Sequence, residues 1–148
     1  MKLNGHWLFP DQMQISQMGF VYCIRDDYMK EIYFGKKSYK GKGRLNMGEE
    51  SNWKKYLSSS SYVRNMLTNR PHEEFSFITL EEFSTPSGLA FAEVWAITSA
   101  LCPQRKDCGN VLVPKISYNV KEQFTDRFLE RFQRATLFES FDDEKEKQ

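Results

Sequence analysis

Two short apolar runs near the start of the chain, GFVYCIR over 19–25 and KEIYFG over 30–35, flank the polar stretch DDYM. Aromatic and β-branched residues favour extended backbone, so the pattern predicts two strands joined by a hairpin turn. EFSFITLEEF over 74–83 predicts a third strand. Residues 50–57 (ESNWKKYL) predict a short helix and 61–68 (SYVRNMLT) a second, entered at Ser61. SGLAFAEVWAITSAL over 87–101 predicts a longer helix, with Thr85 or Ser84 as its cap and Pro86 in its first turn. Val120, Phe124, Phe128 and Phe132 recur at helical spacing and predict a last helix over 120–138. The order of elements predicts an α+β domain, a small three-stranded antiparallel sheet flanked by helices.

A hairpin loop of 26–29 would pair Arg25 with Lys30 and set Tyr22 opposite Tyr33. Opposed residues share a face, so the two tyrosines stand together while Cys23 and Ile32 point to the other side. An aromatic pair packed as core explains this equally well, and a one-residue slip would separate the two rings.

Composition narrows the class. The 148 residues, with 40% hydrophobic positions, 12 Phe, 7 Tyr and 3 Trp, describe a globular domain. No apolar run approaches a membrane span, and MKLNGHWLFPDQ at the start lacks a secretory core or cleavage site. Three cysteines (Cys23, Cys102, Cys108) argue against a disulfide framework and for a reducing cytoplasm. The net charge of +1 says little, but KKSYKGKGR over 36–44 gathers Lys36, Lys37, Lys40, Lys42 and Arg44 with no acid. Those side chains suit phosphate contacts, or else form a solvated loop. Cys102 and Cys108 lack the partners of a zinc site.

Glu93 is the only charged residue between Glu82 and Arg105. On a helix its neighbours are Leu89, Ala96 and Ile97, an apolar setting in which a carboxylate needs a metal, a cation or several donors. The alternatives are partial exposure or an arginine partner from elsewhere.

GFVY followed by IYFGKK resembles the GIY-YIG nuclease family, whose domain opens with two strands bearing those tripeptides. EFSFITLEEF looks like the third strand of that fold, AEVWAI like the helix with its metal-ligand glutamate, and Ser117-Tyr118-Asn119 like the Tyr-Asn near its end. YFGKK and ESNWKKYLSSS are similar to a subgroup of small, phage-encoded, free-standing homing-endonuclease-like proteins.

The resemblance implies a metal-dependent DNA endonuclease that hydrolyses phosphodiester bonds, in the host cytoplasm if phage-encoded. Tyr22 would align or help deprotonate the attacking water, and Tyr33 would contact the scissile phosphate or the nucleophile. Gly35 would let phosphate approach closely, Glu93 would hold one Mg²⁺ (or Mn²⁺), and Asn119 would orient its neighbours. Asn119 also fits a capping box with Glu122. It further implies a nuclease domain over 19–119, preceded by an N-terminal extension at 1–18. An amphipathic helix packed on the domain (120–141) and a charged tail at 142–148 follow.

The chain departs from the family where an arginine, often with a histidine, stands on the first helix after the second motif. Lys54 and Lys55 occupy that region, and Arg44 or Arg64 could substitute. Lys36, Lys37, Lys54 and Lys55 are expected to favour phenolate or to stabilise phosphoryl charge, with Lys37 and Lys54 the catalytic candidates. Duplex DNA is the expected partner, held through backbone contacts by Gly35, Lys36, Lys40, Lys42 and Arg44. Arg127, Arg131 and Arg134 share a helix face that could touch DNA, although Glu130 is placed to pair with two of them. Two other readings stay open: a protein of this fold that grips nucleic acid without cutting, and an interaction protein or homodimer using the Phe-rich last helix.

Overall fold

In the hairpin, β1 (Gly19–Asp26) and β2 (Glu31–Ser38) run antiparallel around a four-residue turn, 27–30. The computed structural model describes residues 5–8, 16–41, 47–100 and 124–141. Asp26 accepts the backbone N–H groups of Tyr28 (3.1 Å) and Met29 (2.9 Å), and two nitrogens of Arg70 clamp its carboxylate at 2.5 and 2.8 Å. These bonds keep Asp26 in the ladder and close the turn one residue later than expected. Arg25 therefore faces Ile32, and Tyr22 faces Gly35 rather than Tyr33. The correction moves each β2 partner by two residues, an even number, so Tyr22 and Tyr33 still share a face.

Strand β3 (Phe75–Phe83) joins the other side of β1, giving the order β2-β1-β3 and leaving β2 at an edge. Between Val21 and Tyr22 the β1–β3 register shifts, from Val21 opposite Glu81 to Tyr22 opposite Thr79. Leu80 is the extra residue of this bulge. The shift reverses the alternation of β3, so Glu81 joins Ile78 and Leu80 on one face, and Glu82 turns to the other.

One face is aliphatic and covered by helices. Val21, Cys23, Ile32, Phe34, Ile78 and Leu80 pack with α2 (Pro86–Ala100) and α3 (Asp126–Thr136). Thr85 caps α2 by accepting the Gly88 N–H at 3.0 Å, and Pro86 takes the first helical position, where its missing donor costs nothing. The last helix is shorter than expected. Its cap is Thr125, which accepts the Phe128 N–H at 3.1 Å; Phe124 precedes the helix, and 120–123 lie outside the described residues. Phe128, Phe132 and Phe124 all pack on Trp95 of the same chain, with ring centroids 4.7–5.5 Å apart.

The arginines of α3 also serve this docking rather than an open basic face. Arg127 pairs with buried Glu81, which also accepts the Thr125 hydroxyl at 2.6 Å. Buried Arg131 donates to the carbonyls of Thr79 (3.2 Å) and Leu80 (3.5 Å), the two positions at the bulge. Arg134 reaches the Ser140 carbonyl at 2.7 Å and lies 3.7 Å from Glu139. Glu81 and Glu139 thus take the part expected of Glu130.

The opposite face is aromatic. Phe20, Tyr22, Ile24, Tyr33 and Phe77 pack with Trp7, Tyr39, Trp53 and the buried residues Val63 and Leu67 of α1 (Ser61–Asn69). Ser60, rather than Ser61, caps α1. The helix expected over 50–57 is replaced by turns, with the Lys55 N–H on the Asn52 carbonyl and the Tyr56 N–H on that of Trp53. Trp53 is the cause: its ring is buried, its indole donates to Glu50, and its carbonyl accepts the Trp7 indole at 2.8 Å. That anchoring outweighs the weak helix propensity of the segment. Trp7 and Leu8, in the region expected to be an extension, belong to the packed body, since the Leu8 amide bonds the Phe77 carbonyl at 2.7 Å. Among the described residues no helix is long and apolar enough to cross a membrane.

Candidate active site

The β2 edge next to Gly35 gathers most of the chemistry. Tyr22 stands opposite Gly35 in the ladder, and a Cβ at position 35 would collide with the Tyr22 ring and hydroxyl. The missing side chain therefore seats the tyrosine, whereas the expectation was room for a phosphate. The Tyr22 ring lies 6.0 Å from that of Tyr56, centre to centre, Tyr56 and Ser58 both act on its hydroxyl's titration, and the Lys37 ammonium lies 4.3 Å from the centre of the Tyr56 ring.

From the helical side, α2 brings Glu93 to the same edge. Glu93 is 9% exposed, and the backbone amide and charge of Lys36, the residue after Gly35, act on its carboxyl. Burial pushes its pKa up to about 7, against the pull of the Lys36 charge and amide. The negative charge of Glu93 adds the smallest of the contributions that raise the Tyr22 pKa.

Burial dominates the other titrations as well. It holds the Tyr22 phenol well above its ordinary pKa, with Tyr56 and Glu93 adding to the effect. The Tyr33 phenol is raised by burial, then by Glu31 and Tyr62. Burial also lowers the pKa of the Lys37 ammonium. Burial and the neighbouring phenol and carboxylate groups thus work against the phenolate form that nearby lysines were expected to favour.

The family model described as "Putative endonuclease segE, GIY-YIG domain" matches residues 5–104. This chain belongs to the GIY-YIG nuclease family. The match spans Trp7, all three strands, α1 and α2, and it ends before α3. No curated protein and no solved structure matches the chain.

In this GIY-YIG domain the structure brings Tyr22, Gly35, Lys36, Lys37 and Glu93 together. Tyr33 shares the face of Tyr22, two residues along β2 from Gly35, with its hydroxyl on Glu31 at 2.6 Å. Lys54 is not part of the cluster; it is exposed, with its ammonium 5.4 Å from the centre of the Trp53 ring. Lys40 is exposed, and its backbone pairs with that of Glu50 in an isolated antiparallel bridge. Lys42, Arg44, Asn119, Cys102 and Cys108 lie outside the described residues. Sequence reasoning missed Tyr56 and Ser58. NWKKYLSSS held both, but a helical reading of that stretch directed attention to its lysines.

Glu93 also fits a divalent cation. A hard cation such as Mg²⁺ takes oxygen ligands and keeps several waters, so one carboxylate plus substrate phosphate oxygens can hold it. A buried carboxylate with a raised pKa and one backbone donor has the spare lone pairs and the deficit of positive charge that such an ion supplies. Among the described residues no group of three or more His, Cys, Asp or Glu could form a larger site.

Proposed function

We propose that this nuclease is a metal-dependent DNA endonuclease that hydrolyses phosphodiester bonds at the Gly35 edge. The observation that carries the reading is Glu93, a buried carboxylate directed to the same edge as the hydroxyl cluster of Tyr22. Glu93 would hold one Mg²⁺ or Mn²⁺, which when bound acts as a Lewis acid on the phosphate and the leaving oxygen. Tyr22, protonated and fixed by Tyr56 and Ser58, orients the attacking water through its hydroxyl. Lys37, half-buried over the Tyr56 ring, places positive charge beside the two phenols and offsets the charge that grows on the phosphoryl oxygens. It takes the place of the family's usual arginine. Lys36 and Lys40, with Lys42 and Arg44 further along the chain, would hold the DNA backbone.

Supercoiled plasmid incubated with and without Mg²⁺, beside a Glu93→Ala control, tests the reading. Nicked or linear product is expected only from the wild type with metal. Metal-independent cutting, or none by the wild type, would overturn it.

A further inference from the structure

Tyr33 is 6% exposed, and its hydroxyl donates to Glu31 Oε2 at 2.6 Å. That distance marks a short, charge-assisted bond. Glu31, Tyr33 and Gly35 alternate to one face of β2, so same-face neighbours follow at about 7 Å, with Glu31 at the half-exposed end. The Tyr62 ring of α1 lies 5.9 Å from that of Tyr33, centre to centre, and adds to the rise in the Tyr33 pKa. Asp26, opposite Glu31 across the ladder, is fully engaged by Arg70.

A phenol has one proton, and here a carboxylate holds it. With that proton given to Glu31, the Tyr33 oxygen has lone pairs left to offer, the arrangement that accepts a proton from water. Its raised pKa excludes phenolate as the base, so any proton it accepts must be matched by the loss of its own.

Resting on the endonuclease reading, we infer that Glu31 is a positioning residue that accepts, through Tyr33, the proton lost by the attacking water. As the water oxygen bonds phosphorus, its O–H bond breaks and the proton passes to the Tyr33 oxygen. The original Tyr33 proton passes to Glu31 Oε2. The bond from phosphorus to the leaving oxygen breaks, and that oxygen takes a proton from solvent water. Glu31 then returns its proton to solvent from its half-exposed position. This relay supplies a base in a chain whose two histidines, His6 and His72, both lie outside β2 and α1.

Single-turnover plasmid nicking tests it. Glu31→Gln keeps the size and an acceptor oxygen for the Tyr33 hydroxyl but cannot take up the proton, so the rate should fall by about 100-fold. DNA affinity measured with Ca²⁺ in place of Mg²⁺ should stay within about twofold, a loss in kcat rather than KM. Formate added to Glu31→Ala should restore part of the rate. Tyr33→Phe and the double variant Tyr33→Phe/Glu31→Gln should be equally slow, because both changes break one path. A wild-type rate in Glu31→Gln, no rescue by formate, or additive losses in the double variant would each overturn the relay. An inactive wild type would instead sink the endonuclease reading beneath it.

Discussion

Two buried carboxylates on the helical side of the sheet make a controlled comparison. Glu81 is 3% exposed at the α3 junction, and Glu93 is 9% exposed at the β2 edge. Burial alone would raise both pKa values. At Glu81, Arg127, the Thr125 hydroxyl and the Glu82 amide together reverse that and hold the carboxyl below its ordinary range. At Glu93, among the described residues, the Lys36 charge and amide alone oppose burial, and the pKa stays at about 7. One acid has a full set of partners and fastens a helix. The other has Lys36 as its opposing group among the described residues, a difference consistent with the ligand-holding role proposed for it.

The largest effect expected is on cleavage. Glu93→Gln should lower the Mg²⁺-dependent rate by about 10³-fold or more, while Glu81→Gln should leave it within a few fold once the protein is folded. Equal losses in the two variants would erase the distinction. Next comes Tyr22→Phe, which keeps the ring over Gly35 and removes one hydroxyl. A loss of about 100-fold in rate is expected, with a change in stability within about 1 kcal/mol by chemical denaturation.

Stability should separate the two acids in the other direction. Glu81→Ala should cost about 2 kcal/mol in urea unfolding, because Thr125 and Arg127 lose their shared acceptor. The cost stays below that of a fully buried pair, since the Arg127 side chain is 41% exposed and can turn to water.

The smallest and sharpest test is pH. The folded pKa of Glu93 lies above its ordinary value of 4.5, so the folded state binds the extra proton. Wild-type stability should therefore fall as pH rises from about 4.5 to about 7. Glu93→Gln should remove that fall, matching the wild type near pH 4 and exceeding it by about 1–3 kcal/mol at pH 8. Glu81 works with the opposite sign: its contribution is complete above the ordinary carboxylate value and is lost as pH drops through its lowered pKa. Thermal melts from about pH 2 to about pH 8 for both variants check the pair.

Much of the fold was legible because local signals and tertiary demands agree. Thr85-Pro86 before an apolar run located α2, and the aromatic and branched runs located all three strands. Faces survived the hairpin error because parity needs only an even shift, whereas the register itself depended on the Asp26 carboxylate gripping the turn. The segment 50–57 was misread since Trp53 is held by Trp7, a residue 46 positions away, and no local pattern records that. The site divided in the same way. Tyr22, Tyr33, Gly35 and Glu93 stand in periodic elements and could be placed from sequence. Tyr56 and Ser58 arrive on irregular backbone, where neighbouring residues carry no information about direction.

The bulge at Leu80 has a consequence for how the chain finds its register. With β3 paired straight against β1, Glu81 would turn into the aromatic layer and the Thr79 and Leu80 carbonyls would not be presented to Arg131. Helix α3 would then meet neither its ion pair nor its buried acceptors. Only the kinked strand offers both, so α3, the last described helix in the chain, docks on one alignment and rejects its neighbour. The helix works as a gauge of how β3 lies against β1, the pairing that sets Thr79 beside Tyr22.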